Sequence, residues 1–192
     1  KRKAGEDFYF LNKLFQLGNI KEVTETRVYP SPRPSDRVLF GTGPEIKKIS
    51  NNSEQEYLTY HPDFFTHLKS FFFKAEELYS IPANQINEVF SDLPPFFREF
   101  LLKINAEKNI KRIRNNCASL KIFKKHFFLW FDGLKIIRLI HEAHETAYKK
   151  VSLIRAANII LENRGYKNLQ SSNYPEVLNN YKDIELANPH KI

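Results

Sequence analysis

The chain has 192 residues, 42% of them hydrophobic, with 17 Phe, 9 Tyr, one Cys and a formal net charge of +8 at pH 7. That is enough apolar material to bury a core without disulfides or metals, and the single Cys117 excludes an internal disulfide and points to a reducing, cytoplasmic setting. The longest uninterrupted apolar run, Phe127 to Phe131, is far too short to span a bilayer, while the basic balance suits anionic partners: nucleic acid, nucleotide phosphates or an acidic membrane surface.

The chain opens KRKAGEDFYFL. It contains no Met, so it is expected to be a segment of a longer protein. The first predicted element is a helix from Glu6 to about Leu17. Phe8, Leu11, Leu14 and Phe15 share one face at spacings of three and four, and Gly18 is placed to end it. Carboxylates in a first helical turn complement the positive end of the helix dipole by about 0.3–1 kcal/mol each, which by itself accounts for Glu6 and Asp7.

KEVTETRVY, Lys21 to Tyr29, is rich in β-branched residues and is read as a strand. Pro30 to Arg37 holds three prolines and is irregular, and Gly43 followed by Pro44 marks the start of a second short helix. ISNNSEQE, Ile49 to Glu56, is polar and reads as a linker. The organisation expected is therefore 1–49, a linker over 50–56, and a helical domain over 57–192. Helices are predicted over Pro62–Tyr79, Pro82–Ser91, Pro94–Ala106, Lys108–Phe131, Leu134–Lys149, Ser152–Asn163 and Pro175–Leu186. The fold class is mostly α: a multi-helix domain preceded by a short α/β segment.

Within the helical part, Phe71 to Phe73, Phe96, Phe97 and Phe100 read as core. Cys117 reads as a small buried hydrophobe in a helix. HEAHE, His141 to Glu145, sets His141, His144 and Glu145 on one helical side, a partial metal shell that nothing else in the sequence completes; an exposed polar face is the expected reading, with no metal bound by this chain. Lys111, Arg112, Arg114 and Lys121 would face phosphates in a nucleic-acid helix. Yet Ile110, Ile113, Cys117, Leu120 and Phe123 repeat at three–four spacing, so one face is core and nucleic acid is disfavoured as partner. The same amphipathic pattern suits contact with anionic lipid.

GEDFYFLNKL, Gly5 to Leu14, resembles the Glu-Asp segment of inverting family-2 glycosyltransferases of the GT-A type. The resemblance implies that Asp7 is the general base toward the acceptor hydroxyl, that Glu6 orients it, and that Gly5 lets the backbone turn. YPSPRPSDRVLFGTG, Tyr29 to Gly43, is similar to the family's donor-diphosphate loop, which gives Arg33 and Arg37 to phosphate oxygens and the amides near Gly41 and Gly43 to an anion site. The likeness covers the first 45 or so residues and departs from the family in lacking its Arg-Trp motif; Trp130 is the only tryptophan. It further implies a nucleotide-sugar donor and a divalent metal, Mg or Mn, held by an upstream Asp-x-Asp that does not occur here. This chain alone is then expected to be inactive, in a parent protein that is cytoplasmic or peripheral at the inner membrane surface. The alternative kept open is a non-enzymatic, basic helical interaction module that binds nucleic acid, anionic lipid or an acidic protein. Donor, acceptor and oligomeric state are not legible.

Overall fold

The computed structural model describes residues 6–18, 21, 23, 26, 28, 29 and 57–187. The chain divides into two compact units, Lys1–Glu56 and Tyr57–Ile192.

In the first unit, α1 spans Glu6–Leu17, as the apolar spacing predicts. Gly18 follows at φ +72°, a left-handed conformation that L side chains rarely adopt, and its N–H donates to Phe15 O at 3.3 Å. Of the strand expected over Lys21–Tyr29, the five described residues lie in no strand, and Val23, Val28 and Tyr29 are exposed. The proline-rich loop, the helix expected after Gly43 and the 50–56 linker lie outside the described residues.

The second unit is helical around one aromatic core. Its chain order is β1 (Leu58–Thr59), α2 (Asp63–Phe73), α3 (Ala75–Ser80), two 3-10 turns (Ala83–Gln85 and Glu88–Phe90), α4 (Pro95–Lys103), α5 (Ala106–Asn115), α6 (Leu120–Trp130), α7 (Gly133–Thr146), β2 (Val151–Ser152), α8 (Leu153–Asn163), a 3-10 turn (Lys167–Leu169) and α9 (Tyr174–Ala187). Among the described residues the only sheet is the antiparallel pair β1–β2, with Leu58 opposite Ser152 and Thr59 opposite Val151.

Three predicted helices are subdivided. The expected 62–79 helix breaks at Lys74, where the chain turns so that both Phe71 before the break and Ala75 and Leu78 after it reach the core. The expected 108–131 helix ends at Asn115 and restarts at Leu120. Asn116 spends its side-chain amide on Arg112 O, and Ser119 caps the new helix by accepting the Ile122 N–H. Cys117 therefore sits half-buried in this connection and packs against the core from outside any helix. The 82–91 segment forms two short 3-10 turns, which still bury Ile86, Val89 and Phe90. Asn105 adopts φ 51°, ending α4 and letting α5 begin one residue later. α8 closes on Gly165 at φ +86° with the paired bonds Tyr166 N–H to Leu161 O and Gly165 N–H to Glu162 O, a Schellman end.

Phe71 is the centre of the core. It is fully buried, and its ring lies 4.8 Å from Phe131, 5.1 Å from Phe97, 5.5 Å from Phe127 and 6.0 Å from Phe90, so it touches α4, the 3-10 turn at Phe90, and α6 with the residue that caps its end. Phe96, Phe97 and Phe100 are buried as expected. Phe73 is 73% exposed, a departure from the core reading of Phe71 to Phe73, because three consecutive helical residues span more than half a turn and cannot share one face.

Away from that centre, α9 is tied to α8 by Tyr181 Oη, which donates to Ala157 O at 2.8 Å. Burial raises the Tyr181 pKa above its ordinary 10.0, with Arg164 opposing. Burial, aided by the Asp63 carboxylate, likewise raises that of Tyr148. Folding thus favours the protonated phenols, so their contribution to stability is intact below the unfolded value of 10.0 and is lost as pH rises through the higher folded values. Denaturant titrations at rising alkaline pH are expected to show stability falling above pH 10, and the Tyr148→Phe/Tyr181→Phe double variant to fall less steeply.

Candidate functional site

Two places carry chemistry-bearing side chains. The first is the start of α1. Glu6 is its first residue, and Asp7 lies exposed in the first turn, where the free backbone N–H groups converge. The helix leaves Phe10, Leu11, Phe15 and Leu17 between 48% and 77% exposed, while Phe8 and Leu14 are half-buried, so its apolar side is partly uncovered. Arg33, Arg37, Gly41 and Gly43 lie outside the described residues, as does the expected anion site at the following helix start.

The second is a histidine–tyrosine cluster in the helical unit. His144, on α7, is held at both ring nitrogens. Nδ1 lies 2.7 Å from Ile140 O and Nε2 lies 2.7 Å from the backbone N of His61. A carbonyl only accepts and an amide N–H only donates, so the proton resides on Nδ1 and Nε2 is the acceptor. His61 Nδ1 in turn accepts the Asp63 N–H at 3.3 Å, and its ring stacks on Tyr148 at 5.5 Å. His67 Nε2 lies 2.7 Å from Tyr148 Oη, and Tyr60 packs edge-on against His144 at 4.9 Å.

This cluster is a clamp that fixes the start of α2 onto the end of α7. His144 has no free nitrogen for a metal or for proton transfer. Among the described residues no group of three His, Cys, Asp or Glu is placed to hold a metal ion, so the HEAHE side chains do not form a shell; His141 and Glu145 are exposed. Sequence reading found His144 but missed His61, His67 and Tyr148, because the bonds join residues 81 and 83 positions apart. His144→Phe keeps a ring but strips both bonds and strands the His61 N–H. It is expected to cost about 1–3 kcal/mol in urea denaturation, with the helix content of the folded state retained.

The basic residues of the nucleic-acid reading are largely engaged within the protein. Lys111 pairs with Glu107, Arg114 donates to Ile81 O, and Arg112 donates to Asn109 Oδ1 at 3.1 Å. Lys121 remains exposed. The core spacing through this stretch is as expected: Ile110 and Phe123 are fully buried, with Ile113, Cys117 and Leu120 packed against them.

Two surface hollows accompany these features. An apolar cleft of about 410 Å³ runs beside α8 and α9, lined by Tyr60, Ile154, Ile160, Tyr174 and Leu178 among others. A groove of about 560 Å³ lies where α2, α3 and α6 meet. Among the described residues no helix is long and apolar enough to cross a membrane. Comparisons of the chain with family models, with curated proteins and with solved structures find no match.

Proposed function

We propose that residues 1–49 supply the catalytic base of an inverting, family-2-like glycosyltransferase, and that residues 57–192 form a helical accessory domain of the same protein. In this reading Asp7 accepts the proton of an acceptor hydroxyl as that oxygen attacks the anomeric carbon of a nucleotide-sugar. The nucleoside diphosphate departs from the opposite side, which inverts the centre. Glu6 orients Asp7. Arg33, Arg37 and the amides near Gly41 and Gly43 take up the charge of the leaving diphosphate. The divalent metal of the family, Mg or Mn, would be held by residues upstream of Lys1.

The supporting observation is the state of α1. Its first turn presents Asp7 to solvent, and Leu11 and Phe15 on its apolar side are 48% and 66% exposed, as suits a helix covered by a further part of a catalytic domain. The test is turnover of a panel of nucleotide-sugars by the full-length parent protein, comparing wild type with Asp7→Asn.

A second reading, a basic interaction module, has its own observation. Lys108, Arg112, Lys121 and Lys125 are all exposed along α5 and α6. Measurable affinity for generic DNA that falls steeply with salt would favour it, and no binding at low salt would remove its nucleic-acid form.

A further inference from the structure

The solvent side of α6 is built from an unusual pair of residue types. Lys121, Lys124, Lys125 and Phe128 recur at spacings of three and four and so share one helical face, opposite the buried Phe123 and Phe127. α2 contributes a matching flank of Phe65, Lys69, Phe72 and Phe73. The two flanks meet edge-to-face at Phe72 and Phe128, whose ring centres are 5.2 Å apart; the α2 residues with Lys124 and Phe128 line the 560 Å³ groove, and Lys121 and Lys125 lie outside it on the same helical face.

Three phenyl rings on this surface are left in water: Phe65 at 49%, Phe73 at 73% and Phe128 at 43% exposure. Around them are ammonium groups. Lys69 Nζ lies 5.8 Å from the centre of the Phe73 ring. Lys124 pairs with Glu76, the one carboxylate lining the groove, whereas Lys69, Lys121 and Lys125 form no ion pair among the described residues. The face is thus apolar at its centre and positively charged at its margin.

We propose that this α2–α6 face seats the helical unit on an anionic bilayer surface. Phe65, Phe73 and Phe128 enter the boundary between headgroups and acyl chains. The long lysine stems let Lys69, Lys121 and Lys125 keep their ammonium groups at the level of the lipid phosphates. With Glu76 already compensated by Lys124, the ammonium groups at the margin are the charge complement of anionic headgroups, and the exposed phenyl rings between them are the apolar wedge that an interfacial face inserts. The proposal rests on the helical unit alone and stands apart from the catalytic reading.

The test is co-sedimentation of the full protein with vesicles of phosphatidylcholine alone and of phosphatidylcholine mixed with phosphatidylglycerol. Binding to the mixed vesicles is expected, with much weaker binding to phosphatidylcholine. Phe73→Ser/Phe128→Ser and Lys121→Glu/Lys125→Glu are each expected to weaken it about tenfold or more, since each removes two of the anchoring groups. Phe73, Lys121 and Lys125 are solvent-facing, so Phe73→Ser alone and the lysine variant should keep the urea midpoint near that of wild type and confirm that the fold is kept; Phe128 also packs on Phe72 and Phe127, so the double phenylalanine variant is expected to lower that midpoint. Lys108→Glu/Arg112→Glu, on α5, should bind as wild type does. Absence of binding by the wild-type protein would overturn the proposal. So would equal binding by all variants, or loss confined to the α5 variant. An acidic protein or DNA that competes for the face while vesicles do not would reassign it to that partner. Asp7→Asn should leave vesicle binding unchanged, so this result and the turnover result fail independently.

Discussion

Phe71→Ala is expected to destabilise the helical unit by about 3–5 kcal/mol, the largest single-residue effect on its stability. The ring is fully buried and lies against Phe90, Phe97, Phe127 and Phe131, so its removal opens a void that four aromatic rings border. Aromatic neighbours cannot close such a gap, because their rings move as rigid plates and each is fixed by further contacts; Phe127 also stacks on Phe123, and Phe131 also meets Phe100. Against a total of about 5–15 kcal/mol for a domain, the loss brings unfolding within reach of mild urea. Trp130 packs on Phe127 and Phe131 at 5.9 and 5.7 Å, so the intrinsic fluorescence of the only tryptophan reports on this region. A shift in urea midpoint of less than the equivalent of about 1 kcal/mol would mean that the site collapses and that the core is organised elsewhere. Phe73→Ala, two residues along and solvent-facing, is the control and should change stability by no more than about 0.5 kcal/mol.

Asp7→Asn is expected to lower nucleotide-sugar turnover by the full-length protein by about 10²–10⁴-fold, the usual worth of a general base. Asparagine keeps the size of the side chain and an oxygen acceptor, but it does not take a proton from the attacking hydroxyl near neutral pH. Donor binding should survive, because the proposed diphosphate contacts lie at Arg33, Arg37 and the amides near Gly41 and Gly43. The helix itself should barely notice: loss of one carboxylate from an exposed first turn removes about 0.3–1 kcal/mol of dipole interaction. Activity and stability therefore separate the two roles. Unchanged turnover would reduce Asp7 to a charge that suits a helix start, and absence of both turnover and nucleotide binding in the wild type would favour the interaction-module reading.

The sequence by itself determined where most of the helices lie and which of their faces turn inward. Glu6–Leu17, Pro95–Lys103, Gly133–Thr146 and Leu153–Asn163 follow from local information: apolar spacing, proline at or near a start, and glycine past an end. The candidacy of Asp7 was likewise legible, since it rests on a contiguous motif. Long-range structure was not. The break at Lys74 has no glycine or proline to announce it; it exists because Phe71, Ala75 and Leu78 are drawn to one core from two directions. Two-residue strands such as β1 and β2 have no periodicity to read, and they form because α8 returns beside the start of the unit. HEAHE read as an exposed polar face, which holds for His141 and Glu145, whereas the tertiary structure spends both nitrogens of the half-buried His144 on Ile140 and on a backbone amide 83 residues away. Whether an aromatic residue is core or surface was decided in the same way. Phe71 and Phe73 share a composition, a helix and a neighbourhood, and only the packing of α4, α6 and the 3-10 turn at Phe90 around one side of α2 buries the first and leaves the second in water.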